Sequence, residues 1–348
     1  MNRNKDRERL KIAITADAEL PVPPALYGGI ERIIDMLVSG LMTLGHEVTL
    51  FAHRDSNVRC RLVPYGAEGN KAADVVRNTW AVSKTIFGGG FDVLHSFGRL
   101  AYLSPLLPLR LPKLMSYQRE PTIRQIKRAA GLSAHGSLRF TGCSDYITGQ
   151  IKPYATAETV YNCIDPARYD LGMPAAGDAP LVFLGRIEPI KGAHTAITIA
   201  QKTGRKLVIA GNVPAQEQDY FNTRIRPFLN EQVTYTGPVD DRQKNELLKR
   251  GLALLMPIQW NEPFGIVMIE AMACGTPVIG FDRGAVREVV QHGVTGYYGN
   301  TMEELTEWVG QVHSLDRKLI RDITEAHFSA GVIVRQYEDL YYRMTRKK

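Results

Sequence analysis

The sequence predicts an α/β protein built from two doubly wound parallel sheets. Short apolar runs alternate with helical patterns along the chain, which is typical of parallel strands covered by helices on both faces. The 348 residues, 44% of them hydrophobic, suffice for two hydrophobic cores. Residues 165–180 are rich in proline and glycine, interrupt this alternation and predict a linker.

The first half carries the elements of the first predicted sheet. A strand at residues 11–16 precedes a helix near residues 30–44, in which apolar residues recur at helical spacing. Later strands of this sheet are predicted at residues 48–52, 91–95, 113–117 and 139–143.

The second half carries the second predicted sheet and a final helix. A strand, a turn and a helix are predicted from residue 181 to residue 200. The strands of this sheet are predicted at residues 181–184, 207–210, 233–236, 253–256, 277–281 and 296–298. The last helix is predicted near residues 331–344 and is rich in tyrosine.

Two carboxylates, Glu262 and Glu270, flank the predicted start of a buried helix that ends near Gly275. A helix start offers unpaired amides and the positive end of the dipole, which favour a bound phosphate. Such amides belong to Gly265, Ile266 and Val267. Burying the Glu270 charge is costly unless it is hydrogen-bonded, and ribose hydroxyls would serve. The alternative is an ordinary solvated helix start with acidic residues.

A second segment, Phe183-Leu-Gly-Arg-Ile-Glu-Pro-Ile-Lys-Gly192, forms the turn after the first strand of that sheet. Its Arg186 and Lys191 can both reach one diphosphate. The alternative is a pair of solvated surface cations. Because Ala193 follows Gly192, the segment is not a P-loop, and no Gly-x-Gly-x-x-Gly fingerprint is present.

The two segments together resemble the retaining GT-B glycosyltransferases of family 4. The matching residues are Gly185-Arg-Ile-Glu-Pro-Ile-Lys-Gly192 and, about seventy residues later, Glu262-Pro-Phe-Gly-Ile-Val-Met-Ile-Glu270 with Ala271 to Gly280 after it. Segments beginning at Tyr27, Leu44, Arg283 and His292 resemble the same family. One departure is Cys163, which stands where the family's Asn-Gly-Val-Asp turn has glycine.

The resemblance implies two Rossmann-like domains facing each other across a cleft. The first, residues 1–164, would bind the acceptor, and the second, residues 165–329, the nucleotide sugar. The tail, residues 330–348, would pack back on the first domain.

The implied reaction moves a hexose from a UDP-, GDP- or ADP-sugar to an acceptor hydroxyl with retention, with no cofactor beyond the donor and no metal. The acceptor would be a small molecule, a glycan or a lipid-linked group. Arg186 and Lys191 would stabilise the leaving diphosphate, and Glu262 and His95 would face the donor sugar. The other residues expected to bind the donor are Gly28, Gly29, Gly211, Asn212, Val239, Phe264, Gly265, Ile266, Val267 and Glu270.

Some of the residues expected to bind the donor are also predicted by sheet topology, because ligands of open α/β sheets bind beyond the carboxyl ends of the strands. Gly28 and Gly29 follow the first strand and would let backbone approach a ligand. The alternatives are a flexible turn at the glycines and a structural His95. Two other functions stay open: a nucleotide-sugar epimerase of GT-B fold, and a non-catalytic nucleotide-sugar binding protein.

The composition and charge of the sequence limit the compartment and the partners that it predicts. Without an apolar run of membrane length, a signal peptide or a Cys-x-x-Cys pair, the sequence predicts a cytoplasmic protein. The net charge of +7 lies almost wholly in residues 1–165. A basic face there would meet an acidic acceptor or anionic lipid headgroups, and an ordinary solvated surface is the alternative. Nucleic acid fits poorly, because no binding module is present. The basic residues considered are Arg110, Lys113, Arg119, Arg124, Lys127, Arg128 and Arg139.

Overall fold

The computed structural model describes residues 8–24, 28–69, 71–173 and 177–345. Tyr27 of the first resembling segment and the last three residues of the predicted tail lie outside the described residues. The chain divides into two compact units, one formed by residues 1–162 and 330–348 and the other by residues 163–329. Each unit contains one parallel sheet, so the predicted α/β class with two parallel sheets is confirmed.

The first unit contains a sheet with the strand order β3-β2-β1-β4-β5-β6-β7 among the described residues. Every neighbouring pair is parallel, so all strands end at one edge. The strands are β1 (Lys11–Thr15), β2 (Glu47–Ala52), β3 (Arg61–Pro64), β4 (Val93–Ser96), β5 (Lys113–Tyr117), β6 (Leu138–Gly142) and β7 (Ala157–Thr159). The helices between them are α1 (Gly29–Thr43), α2 (Ala72–Gly89), α3 (Ile123–Leu132) and α4 (Asp145–Ile151).

The second unit contains a sheet with the order β10-β9-β8-β11-β12-β13, again parallel throughout. The strands are β8 (Leu181–Leu184), β9 (Leu207–Ala210), β10 (Val233–Tyr235), β11 (Ala253–Met256), β12 (Val278–Phe281) and β13 (Gly296–Gly299). The helices are α5 (Ala193–Thr203), α6 (Gln218–Arg224), α7 (Asp241–Arg250), α8 (Ile266–Ala273), α9 (Val286–Val289), α10 (Met302–Val309) and α11 (Arg317–Phe328).

The segment predicted as a linker packs on the second unit where it is described. Gly172 donates its N–H to the carbonyl of Cys274 at 2.9 Å, and the side chain of Tyr169 is buried. Arg321 donates to the carbonyls of Tyr169 and Pro166 at 2.6 and 3.2 Å. Proline and glycine here therefore shape a packed surface segment.

The last helix, α12 (Ala330–Thr345), belongs to the first unit. Buried His46, in the turn after α1, is hydrogen-bonded through Nε2 to Glu338 of α12 at 3.0 Å. The Nδ1 of the same imidazole accepts the N–H of Leu10 at 3.2 Å, so its Nε2 is left to donate to Glu338. Tertiary contacts thus hold α12 on the sheet of the first unit.

Candidate functional site

The second unit has its topological switch point between β8 and β11, where the strand order reverses direction. Open α/β sheets bind ligands in the crevice at such a point, beyond the carboxyl ends of the strands. The loop after β8 is the Arg186 to Gly192 segment, and the loop after β11 leads to Glu262 and α8. Both sequence motifs therefore converge on one edge of one sheet.

Backbone contacts hold these two loops together. Gln259 donates its N–H to the carbonyl of Ile190 at 2.7 Å. Gly192 has a φ of +78°, and a Cβ there would lie 2.0 Å from the carbonyl oxygen of Pro257. Only glycine permits this approach, because any other side chain would displace the Pro257 backbone.

Lys191 and Glu262 meet in the crevice. The Lys191 Nζ lies 2.8 Å from Glu262 Oε2, with both side chains largely shielded from water. Trp260 donates its indole N–H to the same oxygen at 3.1 Å, and Lys191 Nζ lies 5.0 Å from the centre of that indole ring. The carboxylate also has a fixed backbone, since Ala285 donates its N–H to the Glu262 carbonyl at 2.9 Å. The sequence prediction missed Trp260, although it stands two residues before Glu262.

Arg186 lies in the same loop as Lys191 and is held by a carboxylate of that loop. Its guanidinium is 2.9 Å from Glu188 Oε1, and the Glu188 side chain is only 9% exposed. Both predicted phosphate-binding cations therefore contact carboxylates in this structure. Glu188 was not singled out from the sequence, where it looks like an ordinary turn residue.

Glu270 is buried and paired with groups that the sequence prediction missed. Its Oε1 lies 2.5 Å from Lys244 Nζ and accepts the hydroxyl of Tyr169 at 2.8 Å. Burial raises the pKa of the Tyr169 phenol, and Glu270 adds to this, so the hydroxyl stays protonated and donates. Lys244 lies on α7, which begins with a capping box formed by Asp240 and Gln243. Glu262 and Glu270 thus contact different cations.

Helix α8 begins at the predicted position. Gly265 is its N-cap at φ +81°, and the side chains of Ile266 and Val267 are half-buried. Phe264 is a correction, because its ring is buried with 2% exposure and lies edge-on to Phe328 at 6.0 Å. That ring packs in the core of the second unit, so we expect any contact with a ligand to be made by the backbone of Phe264.

The loops after β9 and β10 complete this edge of the second sheet. Gly211 donates its N–H to the carbonyl of Gly237 at 2.9 Å, and a Cβ on Gly211 would lie 1.8 Å from the carbonyl oxygen of Gly185. Asn212 is exposed and accepts the N–H of Ile187 at 3.0 Å through its carbonyl. Val239 is half-buried just before the N-cap of α7.

In the first unit, Gly28 and Gly29 lie at the start of α1, beyond β1. Gly28 has a φ of +151°, and a Cβ on it would lie 2.7 Å from Pro24 and 2.8 Å from Glu31 Oε2. Burial raises the pKa of Glu31. Gly28 of the predicted Gly-Gly therefore allows close packing against neighbouring side chains of its own unit.

His95 is a correction to the predicted site. Its side chain is fully buried, and Nδ1 and Nε2 are hydrogen-bonded to the hydroxyls of Tyr341 and Ser116, each at 2.6 Å. Tyr341 lies on α12, so the imidazole joins the sheet to the last helix. Burial lowers the pKa of His95 to about 3. With both nitrogens occupied inside the core, His95 positions α12 and does not face a donor sugar.

The predicted basic face is also smaller than expected. Lys113 is buried and its ammonium donates to the carbonyls of Leu109 and Leu111 at 2.7 and 2.8 Å. Burial lowers its pKa to about 8. Arg139 is largely covered and lies 3.7 Å from Glu158. In contrast, the other five predicted basic residues are exposed: Arg110, Arg119 and, on α3, Arg124, Lys127 and Arg128.

Within the described residues, no group of three or more His, Cys, Asp or Glu side chains is arranged to hold a metal ion. In the same part of the chain, no helix is long and apolar enough to cross a bilayer. The arrangement at the second switch point brings the Lys191–Glu262 pair close to the start of α8, and a helix N-terminus beside a cation favours an anionic group.

Two family models match the chain in succession. Glycosyltransferase Family 4 matches residues 27–168. Glycosyl transferases group 1 matches residues 175–324, the part that contains the Lys191 and Glu262 pair. Spore coat protein SA of Bacillus subtilis (strain 168) is 26% identical over 343 residues, which cover 88% of this chain and 90% of that protein.

Solved structures share the fold over nearly the whole chain. AviGT4, a glycosyltransferase involved in avilamycin A biosynthesis, is 26% identical with a TM-score of 0.75 and covers 97% of this chain and 99% of its own. HepE from Anabaena, solved in complex with UDP-glucose, is 18% identical with a TM-score of 0.74, covering 96% of this chain and 100% of its own. Similarity at that identity supports the fold alone.

We expect the His95 ring to be neutral at pH 5, where a histidine of ordinary pKa near 6.5 is protonated. The unfolded chain takes up this proton and the folded one does not, so stability falls as the pH drops from about 6.5 toward 3. Ring ¹⁵N NMR, with the signal assigned by its loss in His95→Gln, measures the protonation state. A charged ring at pH 5 would contradict the buried position.

Proposed function

We propose that this chain, which belongs to the group 1 glycosyltransferases of GT-B fold, moves a hexose from a nucleoside-diphosphate sugar to an acceptor hydroxyl with retention at the anomeric carbon. The observation that carries the proposal is the contact between Lys191 and Glu262 at the switch point, beside the N-terminus of α8. Because HepE, a protein of the same fold, was solved with UDP-glucose, that donor is the first probe to test.

The diphosphate would bind where Lys191, Arg186 and the first amides of α8 converge. Bound there, it would share these cations with Glu188 and Glu262, and the preformed cations would offset part of the cost of bringing a charged ligand into the crevice. As the anomeric C–O bond breaks, negative charge grows on the diphosphate, and preorganised cations stabilise that charge more than they stabilise the ground state.

Glu262 would contact the donor sugar rather than the diphosphate. Its Oε2 is held by Lys191 and Trp260, so the carboxylate is fixed in orientation. In that position it can bind donor hydroxyls and oppose positive charge on the sugar ring. The acceptor oxygen then bonds to the anomeric carbon on the face the diphosphate leaves, and the acceptor proton goes to a diphosphate oxygen. This scheme needs no metal, so turnover is expected to be unchanged by EDTA.

Glu270 would bind the ribose. Its Oε1 already accepts from Lys244 and Tyr169, which compensate for the burial of the carboxylate. Gly211, Asn212 and Val239 would lie nearer the nucleobase, on the β9 and β10 side of the sheet. We assign no role in donor binding or catalysis to His95, which is buried in the first unit.

The donor assignment is tested by thermal shift with UDP, GDP and ADP, because a diphosphate that binds the folded state raises its melting temperature. Incubation with the matching nucleotide sugar and an acceptor, followed by proton NMR, reads the anomeric configuration of the product. The proposal is supported if the product keeps the anomeric configuration of the donor sugar and if no new nucleotide sugar forms when the acceptor is left out. A new sugar nucleotide formed without acceptor would identify an epimerase instead, and donor binding without any turnover would identify a binding protein.

Lys191→Ala and Glu262→Ala are each expected to lower turnover at least about tenfold, because each removes a group aimed at charge in the transition state. The matched controls are Lys202→Ala and Glu303→Ala, which alter an exposed ion pair of 3.3 Å elsewhere in the second unit. Steady-state kinetics with circular dichroism on all four proteins separates lost chemistry from lost folding. Turnover at the wild-type level in either site variant would refute its assigned role.

Peripheral contact with an anionic membrane is proposed for α3, which carries Arg124, Lys127 and Arg128 on its exposed side and no acidic residue. Co-sedimentation with vesicles containing phosphatidylserine is expected to exceed that with phosphatidylcholine alone and to fall when the three cations are changed to glutamine. Equal binding to both kinds of vesicle, or none, would leave these cations as an ordinary solvated surface.

A further inference from the structure

Arg283 is a cation at the same edge of the second sheet, and the donor scheme above does not use it. It follows β12, the strand beside β11, and begins a segment that resembles the family. Its neighbour Gly284 forms a parallel bridge with Glu262 and has a φ of +63°. A Cβ on Gly284 would lie 2.2 Å from the carbonyl oxygen of Glu262. The backbone of Arg283 is therefore held next to that of the carboxylate proposed to bind the sugar.

Arg283 differs in its partners from the other cations that follow β8 and β12. The two cations of the β8 loop each contact a carboxylate, as described above. Arg287, four residues after Arg283, contacts the carboxylate of Asp282. Among the described residues, no carboxylate lies within ion-pair distance of the Arg283 guanidinium. One positive charge at this edge is thus not compensated by a carboxylate of the described chain.

Uncharged groups hold the Arg283 side chain in place. Its Nη1 donates to Gln259 Oε1 at 3.3 Å, and its guanidinium lies 5.2 Å from the centre of the Phe281 ring. Gln259 belongs to the loop that carries Glu262, and its own N–H is bound to the carbonyl of Ile190. The arginine is only partly covered, and this contact uses one of the five N–H donors of a guanidinium. An oriented fork of donors therefore remains for a ligand.

The order of the strands indicates which part of a substrate Arg283 would meet. In the proposed function, the nucleobase lies on the side of β9 and β10, the diphosphate at the loop after β8, and the sugar at Glu262 after β11. β12 is the next strand in the same direction. Because neighbouring strands are about 4.8 Å apart, β12 lies roughly 10 Å from β8. We therefore expect Arg283 at the sugar end of the site rather than at the diphosphate.

A carboxylate or a phosphate suits this position better than a neutral hydroxyl. A guanidinium binds either anion through two parallel N–H···O bonds, and such charge-assisted bonds are about twice as strong as neutral ones. A hydroxyl offers one oxygen and no charge, so it leaves the arginine uncompensated. The contacts with Gln259 and Phe281 also reduce the freedom that the side chain loses when a ligand fixes it.

We propose that Arg283 determines specificity by binding a carboxylate or phosphate at the sugar end of the site, on the transferred sugar or on the acceptor beside it. The inference rests on the proposed transferase function. It narrows the substrates of that function to those that carry an anionic group at this end, and separate arms of the test distinguish the two sources.

The experiment compares matched charged and neutral substrates, with nucleoside-diphosphate release as the readout. In the donor arm, the nucleoside diphosphate that stabilises the protein carries either glucose or glucuronic acid. In the acceptor arm, methyl glucoside is compared with methyl glucuronoside and glucose 6-phosphate. The charged member of at least one arm is expected to have a kcat/KM at least about tenfold higher than the neutral one, because only it can take both bonds from the guanidinium.

Arg283→Gln is expected to reduce this preference about tenfold and to change kcat/KM for the neutral substrates less than about twofold, because it removes the charge and the fork. Arg283→Lys is expected to restore part of the preference, since an ammonium keeps the charge without the fork. Arg250→Gln is the matched control, because Arg250 is 76% exposed at the end of α7. An equal loss of preference in this control would trace the effect to overall charge and overturn the role of Arg283.

Binding is measured independently of turnover, by calorimetry for the nucleotides and by saturation-transfer NMR for the acceptors. Tighter binding of a charged probe that is lost in Arg283→Gln, with the Kd of the nucleoside diphosphate itself unchanged within about twofold, supports the proposal. Equal binding and use of charged and neutral probes in both arms would overturn it. A Kd for the diphosphate alone that rises as much as that of the charged nucleotide sugar would also overturn it, since Arg283 would then bind the diphosphate.

The two proposals fail in different ways. Failure of every nucleoside diphosphate to stabilise the protein would refute the donor assignment, and the NMR comparison of the acceptors would still decide whether Arg283 selects an anion. Normal diphosphate binding without any preference for a charged probe would refute the role of Arg283 alone.

Discussion

The contact between Lys191 and Glu262 is the interaction on which the candidate chemistry depends. At 2.8 Å it fixes a cation and a carboxylate side by side at the switch point of the second sheet. An isolated charge so shielded from water would be costly, and each partner compensates the other. In the proposed reaction, the pair would supply both a positive group for the leaving diphosphate and a negative group for the sugar ring.

Backbone sterics make this pair possible. Gly192 and Gly211 bring the loops after β8, β9 and β11 closer than any other residue would allow, with added Cβ atoms 2.0 Å and 1.8 Å from carbonyl oxygens. Gly265 likewise adopts a left-handed conformation at the start of α8. The glycines of the motifs thus act through the folded backbone, and the charged side chains are positioned as a consequence.

Much of the fold followed from local pattern. The strands at residues 181–184, 207–210 and 253–256 have the predicted bounds, because parallel strands buried on both faces are continuous apolar runs. Short strands such as β3 and β7 were missed, since β3 is a four-residue edge strand that ends in proline and is not fully buried, and β7 has three residues. The site motifs were predictable because their residues are close in sequence and follow strand ends.

The sequence by itself determined the α/β class, the two parallel sheets and the loops that carry Arg186, Lys191, Glu262 and Glu270. Only tertiary structure decided which groups these residues meet. Lys244 and Tyr169 reach Glu270 from 26 and 101 residues away, His95 turns into the core against α12, and Lys113 is buried among carbonyls. The physical reason is that local periodicity fixes which face of an element is apolar, whereas the partner of a charged or polar side chain is set by packing between elements distant in sequence.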